Sequence, residues 1–409
     1  RSEWANLPTE LIQDIAALLL SADVSEYLRI RSVCKPWRQC TDDPRSCGAR
    51  LDPRFRPRDW IALSHCASPS RRHLVNISTG AQADVDCPEL CSHHCFGIAD
   101  GLLVLCDKAT RNVRLLNPLT NGLAHFPAIT DALFQNSEPR TGEDTTIVVT
   151  TRKVHVPDPS AINGAGIDDS TSPPTLVLAL RHRLWRIVCA KPGDLHWVSV
   201  HFGDQRVPMY NYNGQIDFHT LLSFRGRCYV STHRGDVMVV DLRGPRMVNL
   251  SKETALGSNT TAYSYLVRSP DRRMLMVRFL ARVNLEEDHY EPSELFTSPE
   301  GARSRMEVFE VDVAGRRLTP LSGLGNFTAF VGMTYTVMVT SNKFPKLSAN
   351  AVYLNHHLQH WRRLGCYHFE DKTITPPRGL RPNAHGRFFL CACHWELADY
   401  LICDVDRRW

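Results

Sequence analysis

The residues of this sequence best suited to chemistry form a cluster of thiols and imidazoles between positions 87 and 95. The cluster contains Cys87, Cys91, His93, His94 and Cys95. Zinc takes three or four ligands of these two types, so the cluster could hold a metal ion. The spacing matches no standard zinc finger, however, and a second paired knuckle is missing. We favour the alternative that these are small thiols buried in strands.

A second group of ligand-type residues stands near the other end of the chain, where Cys391, Cys393 and His394 follow one another closely. It could complete a site with the first cluster only if the two ends of the fold meet. We therefore predict no metal and no cofactor.

Catalytic motifs are absent from the sequence. It contains no Gly-x-Ser-x-Gly, no phosphate-binding glycine loop and no His-Glu-x-x-His. Adjacent carboxylates, Asp168-Asp169 and Glu286-Glu287-Asp288, fall in polar segments and are interpreted as solvated. We predict that the protein is not an enzyme.

Bulk composition excludes several other classes of protein. The 409 residues include 48 Lys and Arg against 43 Asp and Glu, a net charge of +5, which is too mild to indicate nucleic-acid binding. The densest basic run, at 50–58, suits a solvated linker as well as a binding patch. No stretch approaches 18 consecutive apolar residues, so we expect no membrane span. Fourteen scattered Cys without a visible secretory signal indicate reduced thiols in the nucleus or cytoplasm.

The elements that could position a binding surface begin with helices at the N-terminus. Pro8 suits a helix start, and apolar residues then recur at helical spacing: Leu11, Ile12, Ile15, Leu18 and Leu19. The segment 21–23 interrupts this stripe, Ser25 is predicted to cap a second helix, and Pro36 marks a boundary or a first turn. About 40 residues of helix bury too little surface to be stable alone, so this module needs a partner.

The same residues carry a resemblance to a known module. Leu7-Pro8, Glu10-Leu11-Ile12 and Ile15, followed by Leu28-Arg29, Arg31-Ser32-Val33-Cys34-Lys35 and Trp37-Arg38, resemble an F-box over about residues 4–43. The resemblance implies docking to a Skp-type adaptor, which joins the chain to a cullin. The implied adaptor-binding residues are Leu7, Pro8, Leu11, Ile12, Ile15, Leu28, Val33, Cys34 and Trp37. The alternative is that these helices only cap the rest of the chain.

The remainder of the sequence has a pattern typical of β-hairpins. Short apolar runs alternate with turn residues, at 99–107 with 113–118, at 183–189 with 195–201, and at 227–231 with 236–241. Further runs lie at 274–279, 306–312, 351–354 and 388–391. So many hairpins predict a β-propeller with about six or seven four-stranded blades. Two polar segments, 158–174 and 285–305, are predicted to be mobile loops.

Several of these strands resemble the KIB-like domain that follows an F-box in many plant proteins. The similarity rests on Asn117-Pro118-Leu119-Thr120-Asn121-Gly122, Phe224-Arg225-Gly226-Arg227-Cys228-Tyr229-Val230, Gly235-Asp236-Val237, Tyr265-Leu266-Val267-Arg268-Ser269 with Leu275-Met276-Val277, Phe309-Glu310-Val311-Asp312 and Ala349-Asn350-Ala351-Val352-Tyr353. Where the family often has Ser-His-Gly-Trp, this chain has Gly97-Ile98-Ala99-Asp100-Gly101, so no binding role is transferred to that segment.

The sequence therefore predicts a mainly β protein with a small all-α module at its N-terminus. The expected organisation is an F-box module at 1–45, a connector at 46–74 and a KIB-like β-propeller at 75–409. The expected function is that of the target-binding subunit of a Skp–cullin–F-box ubiquitin ligase, whose target protein is unknown. Two alternatives stay open: a module that binds and blocks a partner such as a kinase, and a propeller glycosidase with carboxylates converging in its central channel.

Overall fold

A computed structural model describes most of the chain, and its helices lie at the N-terminal end. The described residues are 3–63, 70–130, 162–181, 185–202, 218–232, 235–244, 246–251, 260–282, 305–332, 336–344, 347–358 and 361–375. The helices are a 3-10 turn at Glu3–Asn6, α1 at Thr9–Ala22, α2 at Val24–Val33, α3 at Lys35–Gln39 and, later in the chain, the short α4 at Glu89–Ser92. None of the helices in these ranges has the length and apolar character needed to span a membrane.

The boundary between α1 and α2 is set by Asp23. Its backbone is extended, with φ −160° and ψ 137°, which ends α1 at Ala22. Its carboxylate then accepts the backbone N–H of Ser25 at 2.6 Å and caps α2. The prediction of Ser25 as the cap was therefore wrong by two residues, because both side chains are good caps and sequence alone does not separate them. Pro36 lies in the first turn of α3, as predicted.

The helices share one small core with the connector that follows them. Ala16, Tyr27 and Ile30 of the helices are buried together with Ala49 and Phe55 of the connector. The rings of Tyr27 and Phe55 lie 5.5 Å apart between centroids. The helical module thus finds the packing partner that its small size requires within the same chain.

Twenty-four strands follow in the described ranges, and they fall into consecutive groups. The first two groups are β1 (Trp60–Leu63), β2 (Arg71–Asn76) and β3 (Gln82–Asp86), then β4 (His93–Ala99), β5 (Leu102–Asp107), β6 (Asn112–Leu116) and β7 (Leu123–Ala128). The next two are β8 (Ile162–Asp168), β9 (Thr175–Arg181), β10 (Trp185–Ala190) and β11 (Val198–Phe202), then β12 (Phe218–Phe224), β13 (Arg227–Thr232), β14 (Val237–Asp241) and β15 (Arg246–Ser251). The last two are β16 (Thr260–Arg268), β17 (Met274–Arg282), β18 (Arg305–Asp312) and β19 (Arg317–Leu321), then β20 (Phe327–Gly332), β21 (Thr336–Thr340), β22 (Ala351–Leu358), β23 (Trp361–His368) and β24 (Ile374–Thr375).

These groups are the blades of a six-bladed β-propeller, so the fold is mainly β with helices at its N-terminus, as predicted. Within most blades each strand pairs antiparallel with the next one along the chain. The third and fourth blades are joined at their outer edges, where β11 pairs parallel with β15. The last blade has the order β21-β20-β22-β23-β24, with β20 parallel to β22. β1 and β2 begin before residue 75, where the sequence placed the start of the propeller.

Three predicted hairpins are confirmed by their registers. β5 pairs with β6, β10 with β11, and β13 with β14, all antiparallel. The predicted strand at 388–391 lies outside the described residues, as does the predicted loop at 285–305 except for Arg305, which begins β18.

The predicted mobile loop at 158–174 was wrong where the structure describes it, because β8 occupies Ile162–Asp168. The glycines of this segment serve close packing. A Cβ on Gly166 would lie 2.9 Å from the Sγ of Cys228 and from the Oγ of Ser223, both in the next blade. Glycine here permits the close approach of a neighbouring blade. Composition alone does not distinguish a glycine that serves close packing from a glycine in a mobile loop.

Candidate functional site

Exposed apolar side chains are concentrated on the helical module. Seven large hydrophobic residues are exposed within the described ranges, and five of them precede residue 34. We call these five the apolar face: Trp4 (68 % exposed), Leu11 (49 %), Ile15 (39 %), Leu18 (71 %) and Val33 (62 %). Apolar surface gathered in one small module is typical of a protein–protein contact.

The structure divides the predicted adaptor-binding residues into three groups. Leu11, Ile15, Val33 and Pro8 are exposed, whereas Leu7, Leu28, Cys34 and Trp37 are partly buried. Ile12 is only 3 % exposed. Ile12 is thus buried in the free chain, unlike Leu11 and Ile15, and its predicted contact with an adaptor stays a prediction.

Two members of the apolar face were not among the predicted binding residues. Leu18 follows Leu11 and Ile15 at helical spacing, so the periodicity of α1 carries the signal that finds it. Trp4 belongs to the preceding 3-10 turn, and its carbonyl oxygen accepts the indole N–H of Trp37 at 3.2 Å. This bond fixes the turn against α3, and no periodicity in the sequence indicates it.

The connector joins the helical module to the propeller through a buried arginine. The guanidinium of Arg56 has no exposed surface and lies 3.0 Å from the carboxylate of Asp100. It also bonds both carboxylate oxygens of Asp169 and the carbonyl oxygen of Leu51. The basic run at 50–58 is therefore not a solvated linker at this position. Arg56 ties the connector to the second and third blades.

Side-chain hydrogen bonds and one close backbone approach reinforce this junction. The side-chain amide Nδ2 of Asn117 donates to the carbonyl oxygen of Phe55 at 2.8 Å. Gly101 lies so close to the connector that a Cβ there would stand 2.0 Å from the carbonyl oxygen of Pro57. Arg45 donates to the carbonyl oxygen of Thr120 at 2.8 Å. The connector is thus bonded to the propeller along its length.

The predicted cluster of thiols and imidazoles does not come together as a metal site. No group of three or more His, Cys, Asp or Glu side chains in the described ranges is placed to hold a metal ion. Burial raises the pKa of Cys87 to about 11, which disfavours the thiolate that a metal requires. His93 is buried, and its Nδ1 donates to the carbonyl oxygen of Glu89 at 2.8 Å. Cys91 and Cys95 are exposed. Cys391, Cys393 and His394 lie outside the described residues.

The carboxylates predicted to be solvated at 168–169 are structural. Asp168 is fully buried and accepts the backbone N–H of Cys228 at 3.2 Å, while Arg227 lies 3.3 Å away. Asp169 pairs with Arg56. The prediction of a solvated pair was wrong because β8 ends at Asp168, which places both residues at the junction between blades.

The central channel is lined by both apolar and charged residues where the structure describes it. A cavity of about 100 Å³ there is lined by apolar side chains that include Ile61, Ile98 and Leu221, and also by Arg58 and Arg268. The carboxylate among its lining residues, Asp100, is paired with Arg56. The described part of the channel therefore lacks the converging carboxylates that a glycosidase needs.

Solved structures with a similar fold are distant. The chain is 12% identical to the β-propeller domain of Cps50 (Swd1) from Myceliophteria thermophila, with a TM-score of 0.29, 77% of this chain covered and 84% of that one. It is 10% identical to a protein of unknown function from Bacteroides caccae, with a TM-score of 0.27 and coverages of 68% and 98%. For an oligogalacturonate lyase from Vibrio parahaemolyticus the identity is 12%, the TM-score 0.24 and the coverages 36% and 35%, so this chain spans about a third of that protein. Likenesses this weak carry no argument about function. The comparison with curated proteins found no match.

Family models cover nearly all of the described structure. The F-box-like model matches residues 4–47, which contain the three helices and the apolar face. The chain is thus an F-box protein with a C-terminal propeller. The KIB1-4 beta-propeller model matches residues 59–374, well over half of the chain, and the protein belongs to that family.

Proposed function

We propose that this protein is the target-binding subunit of a Skp–cullin–F-box ubiquitin ligase. The helical module docks to a Skp-type adaptor and, through it, to a cullin. The propeller binds the protein that is to be ubiquitinated. The subunit itself performs no bond chemistry, needs no cofactor and works in the nucleus or cytoplasm.

The observation that carries this proposal is the apolar face. Leu11, Ile15 and Leu18 follow one another along one side of α1, and the fold leaves all three in solvent. Complete burial of a fully exposed side chain of this size contributes about 1.5–3 kcal/mol. A partner that covers these partly exposed side chains gains a part of that free energy for each of them. The F-box-like match over 4–47 supports a Skp-type adaptor as the partner.

The hydrogen-bonded junction between the helical module and the propeller suits a subunit that holds its target in a fixed position. A ligase subunit raises the rate of ubiquitin transfer by holding a lysine of its target near the charged carrier. That requires a fixed angle between the adaptor-binding helices and the target-binding domain. Three features support such a fixed angle: the buried Arg56, the contact of Gly101 with Pro57, and the hydrogen bonds of Asp23.

Affinity capture from plant cells tests this function, with ubiquitin-dependent degradation blocked. We compare the native chain with Ile15→Asp, which places a charge in the apolar face, and with Leu195→Asp. Leu195 is 84 % exposed on the propeller, so its change is a matched control.

We expect adaptor and cullin to accompany the native chain and Leu195→Asp, and to be lost from Ile15→Asp. A further protein should stay bound to Ile15→Asp and accumulate, and that protein is the candidate target. Absence of the adaptor from every capture contradicts the proposal, and then a module that binds and blocks a partner explains the fold better.

A further inference from the structure

A deep cleft lies where the helical module, the connector and the propeller meet. Its volume is about 620 Å³, within the range of small-molecule sites in proteins. Three parts of the fold form its walls: the end of α1 with the start of α2, the connector at 53–59, and turns of the propeller at 76–78, 224–225 and 268–272.

The cleft is strongly basic. Six arginines line it and only two carboxylates, those of Asp23 and Asp59. The arginines are Arg54, Arg56, Arg58, Arg225, Arg268 and Arg272. Low-dielectric walls around like charges strengthen the local field and attract anions.

Two of these arginines are already neutralised by partners. Arg56 is paired with Asp100 and Asp169 behind the cleft wall. Arg54 is paired with Asp52 at 2.7 Å. Neither has much charge left for a ligand.

Two further arginines, Arg268 and Arg58, are also paired with carboxylates, but each keeps part of its side chain exposed. Arg268 is oriented by Asp59 at 2.7 Å and donates to the carbonyl oxygen of Arg58 at 3.0 Å, with 29 % of its side chain exposed. Arg58 lies 3.5 Å from Asp100 and 3.8 Å from Asp169, with 37 % of its side chain exposed. Such pre-oriented guanidinium groups bind a ligand with little loss of side-chain freedom.

The remaining two arginines have no carboxylate partner among the described residues. The guanidinium of Arg225 lies over the ring of Phe224, 5.1 Å from its centroid, which holds the side chain without neutralising it. Arg272 is exposed at the turn between β16 and β17. Both therefore offer full positive charges to the cleft.

We propose that this cleft binds a small polyanion that carries two or more phosphate-type groups. Arginine forks match phosphate oxygens in pairs. Two guanidinium groups without a carboxylate partner, Arg225 and Arg272, beside two that are paired but partly exposed, suit two or more phosphate groups on one ligand. The ligand contacts the propeller through Arg225, Arg268 and Arg272, and the connector through Arg58. The ligand thereby bridges the connector and the propeller beside the α1–α2 boundary.

Binding is tested on the whole purified chain without any adaptor, so the result is independent of the proposed ligase function. The probes are sodium tripolyphosphate and inorganic phosphate, titrated by calorimetry at low ionic strength. The test variant is Arg225→Gln with Arg272→Gln. The control is Arg316→Gln, since Arg316 is likewise exposed at a turn with positive φ but lies outside the cleft.

We expect saturable binding of tripolyphosphate, tighter than that of phosphate, and a rise in Tm with ligand concentration. The double variant should bind about a hundredfold more weakly, about tenfold for each charge-assisted contact removed. The control should bind as the native chain does. The unfolding temperature without ligand shows whether the double variant is folded.

Either of two results overturns the proposal. The first is that the native chain shows no saturable binding of tripolyphosphate. The second is that a folded double variant binds it as tightly as Arg316→Gln does, which would place the ligand elsewhere on this basic protein.

Discussion

Asp23, the residue between α1 and α2, accepts the indole N–H of Trp60, the first residue of β1. The Nε1 atom lies 3.1 Å from Oδ1 and 3.0 Å from Oδ2. The same carboxylate accepts the side-chain amide of Asn76 and caps α2 through the N–H of Ser25. The extended backbone of this residue thus ends one helix, while its side chain starts the next and bonds the helices to the first blade of the propeller.

Replacement of Asp23 by Asn should separate these roles. Asn caps a helix about as well as Asp, but its NH₂ group would face the donors of Trp60 and Asn76. We expect Asp23→Asn to cost about 1–3 kcal/mol for the donor left unsatisfied. Asp23→Ala should cost about 1 kcal/mol more, because the cap is lost too. The measurement is the free energy of unfolding of the whole chain in urea.

Ser25→Ala is the control for this pair, since the Ser25 hydroxyl is not the helix cap. Its free energy of unfolding should stay within about 0.5 kcal/mol of the native value. A larger loss of unfolding free energy for Ser25→Ala than for Asp23→Ala would contradict Asp23 as the cap of α2.

The close approach of the connector to the second blade predicts a difference between two glycines. Gly101 and Gly80 both have positive φ, 84° and 76°, so alanine at either position costs about 1 kcal/mol of backbone strain. Only at Gly101 does the added Cβ collide with another backbone, at Pro57, whereas nothing stands within 4 Å at Gly80. We expect Gly101→Ala to lower the unfolding midpoint in urea clearly more than Gly80→Ala does. Equal shifts of the midpoint for the two variants would contradict the close contact between the connector and the turn at Gly101.

The buried charge of Arg56 predicts a large loss of stability when it is removed. Arg56→Met leaves Asp100 and Asp169 without their main partner, and these carboxylates are only 10 % and 18 % exposed. Breaking such a pair from one side costs about 3–5 kcal/mol. Arg50→Met is the control, because Arg50 is exposed in the same connector, and should change the unfolding free energy by less than about 0.5 kcal/mol. A loss below about 1 kcal/mol for Arg56→Met would refute the structural role.

The reactivity of the cysteine thiols should follow their exposure to solvent. Burial raises the pKa of Cys87, Cys106 and Cys189 to about 11, so at pH 8 these thiols stay protonated and enclosed. N-ethylmaleimide at pH 8 should label exposed Cys91 and Cys95 first, as read by peptide mass spectrometry. Rapid labelling of Cys87 in folded protein would contradict its burial.

The same pKa values fix the direction of a pH effect on stability. A thiol whose pKa is higher in the folded than in the unfolded chain binds its proton more tightly when folded. Its contribution is complete below the ordinary pKa of 9.0 and is lost as the pH rises from about 9 to about 11. The contribution of these thiols to the free energy of unfolding should therefore fall over that interval. A contribution that rises with pH would contradict the raised pKa values.

Much of the fold could be predicted from the sequence because its signals are local. Hairpins such as the one joining β13 and β14 have apolar runs and turn residues within a few positions of one another. Pro8 immediately precedes the first helix, which begins one residue after the predicted position, and Pro36 lies in the first turn of α3. Both positions follow closely from the chemistry of proline. Such patterns do not depend on distant residues.

The errors arose where a distant contact decides the outcome. The Gly-rich segment before Asp168 is a strand because Cys228 and Ser223 of the next blade press against Gly166. Arg56 is buried because Asp100 and Asp169 meet it, 44 and 113 positions along the chain. Ile12 shares the apolar pattern of α1 with Ile15, and only the packing of the helices distinguishes the inner residue from the outer one.

The most direct test of the account is the affinity of the purified chain for a Skp-type adaptor, measured by calorimetry. Leu11→Asp with Ile15→Asp places two charges in the apolar face, while Leu195→Asp places one on exposed apolar surface of the propeller. The account predicts that the native chain and Leu195→Asp bind equally well. The double variant should bind at least about a hundredfold more weakly, since each unpaired buried charge costs several kcal/mol. Unchanged affinity of a folded double variant would contradict the apolar face as the docking surface, and no binding by the native chain would contradict the ligase role itself.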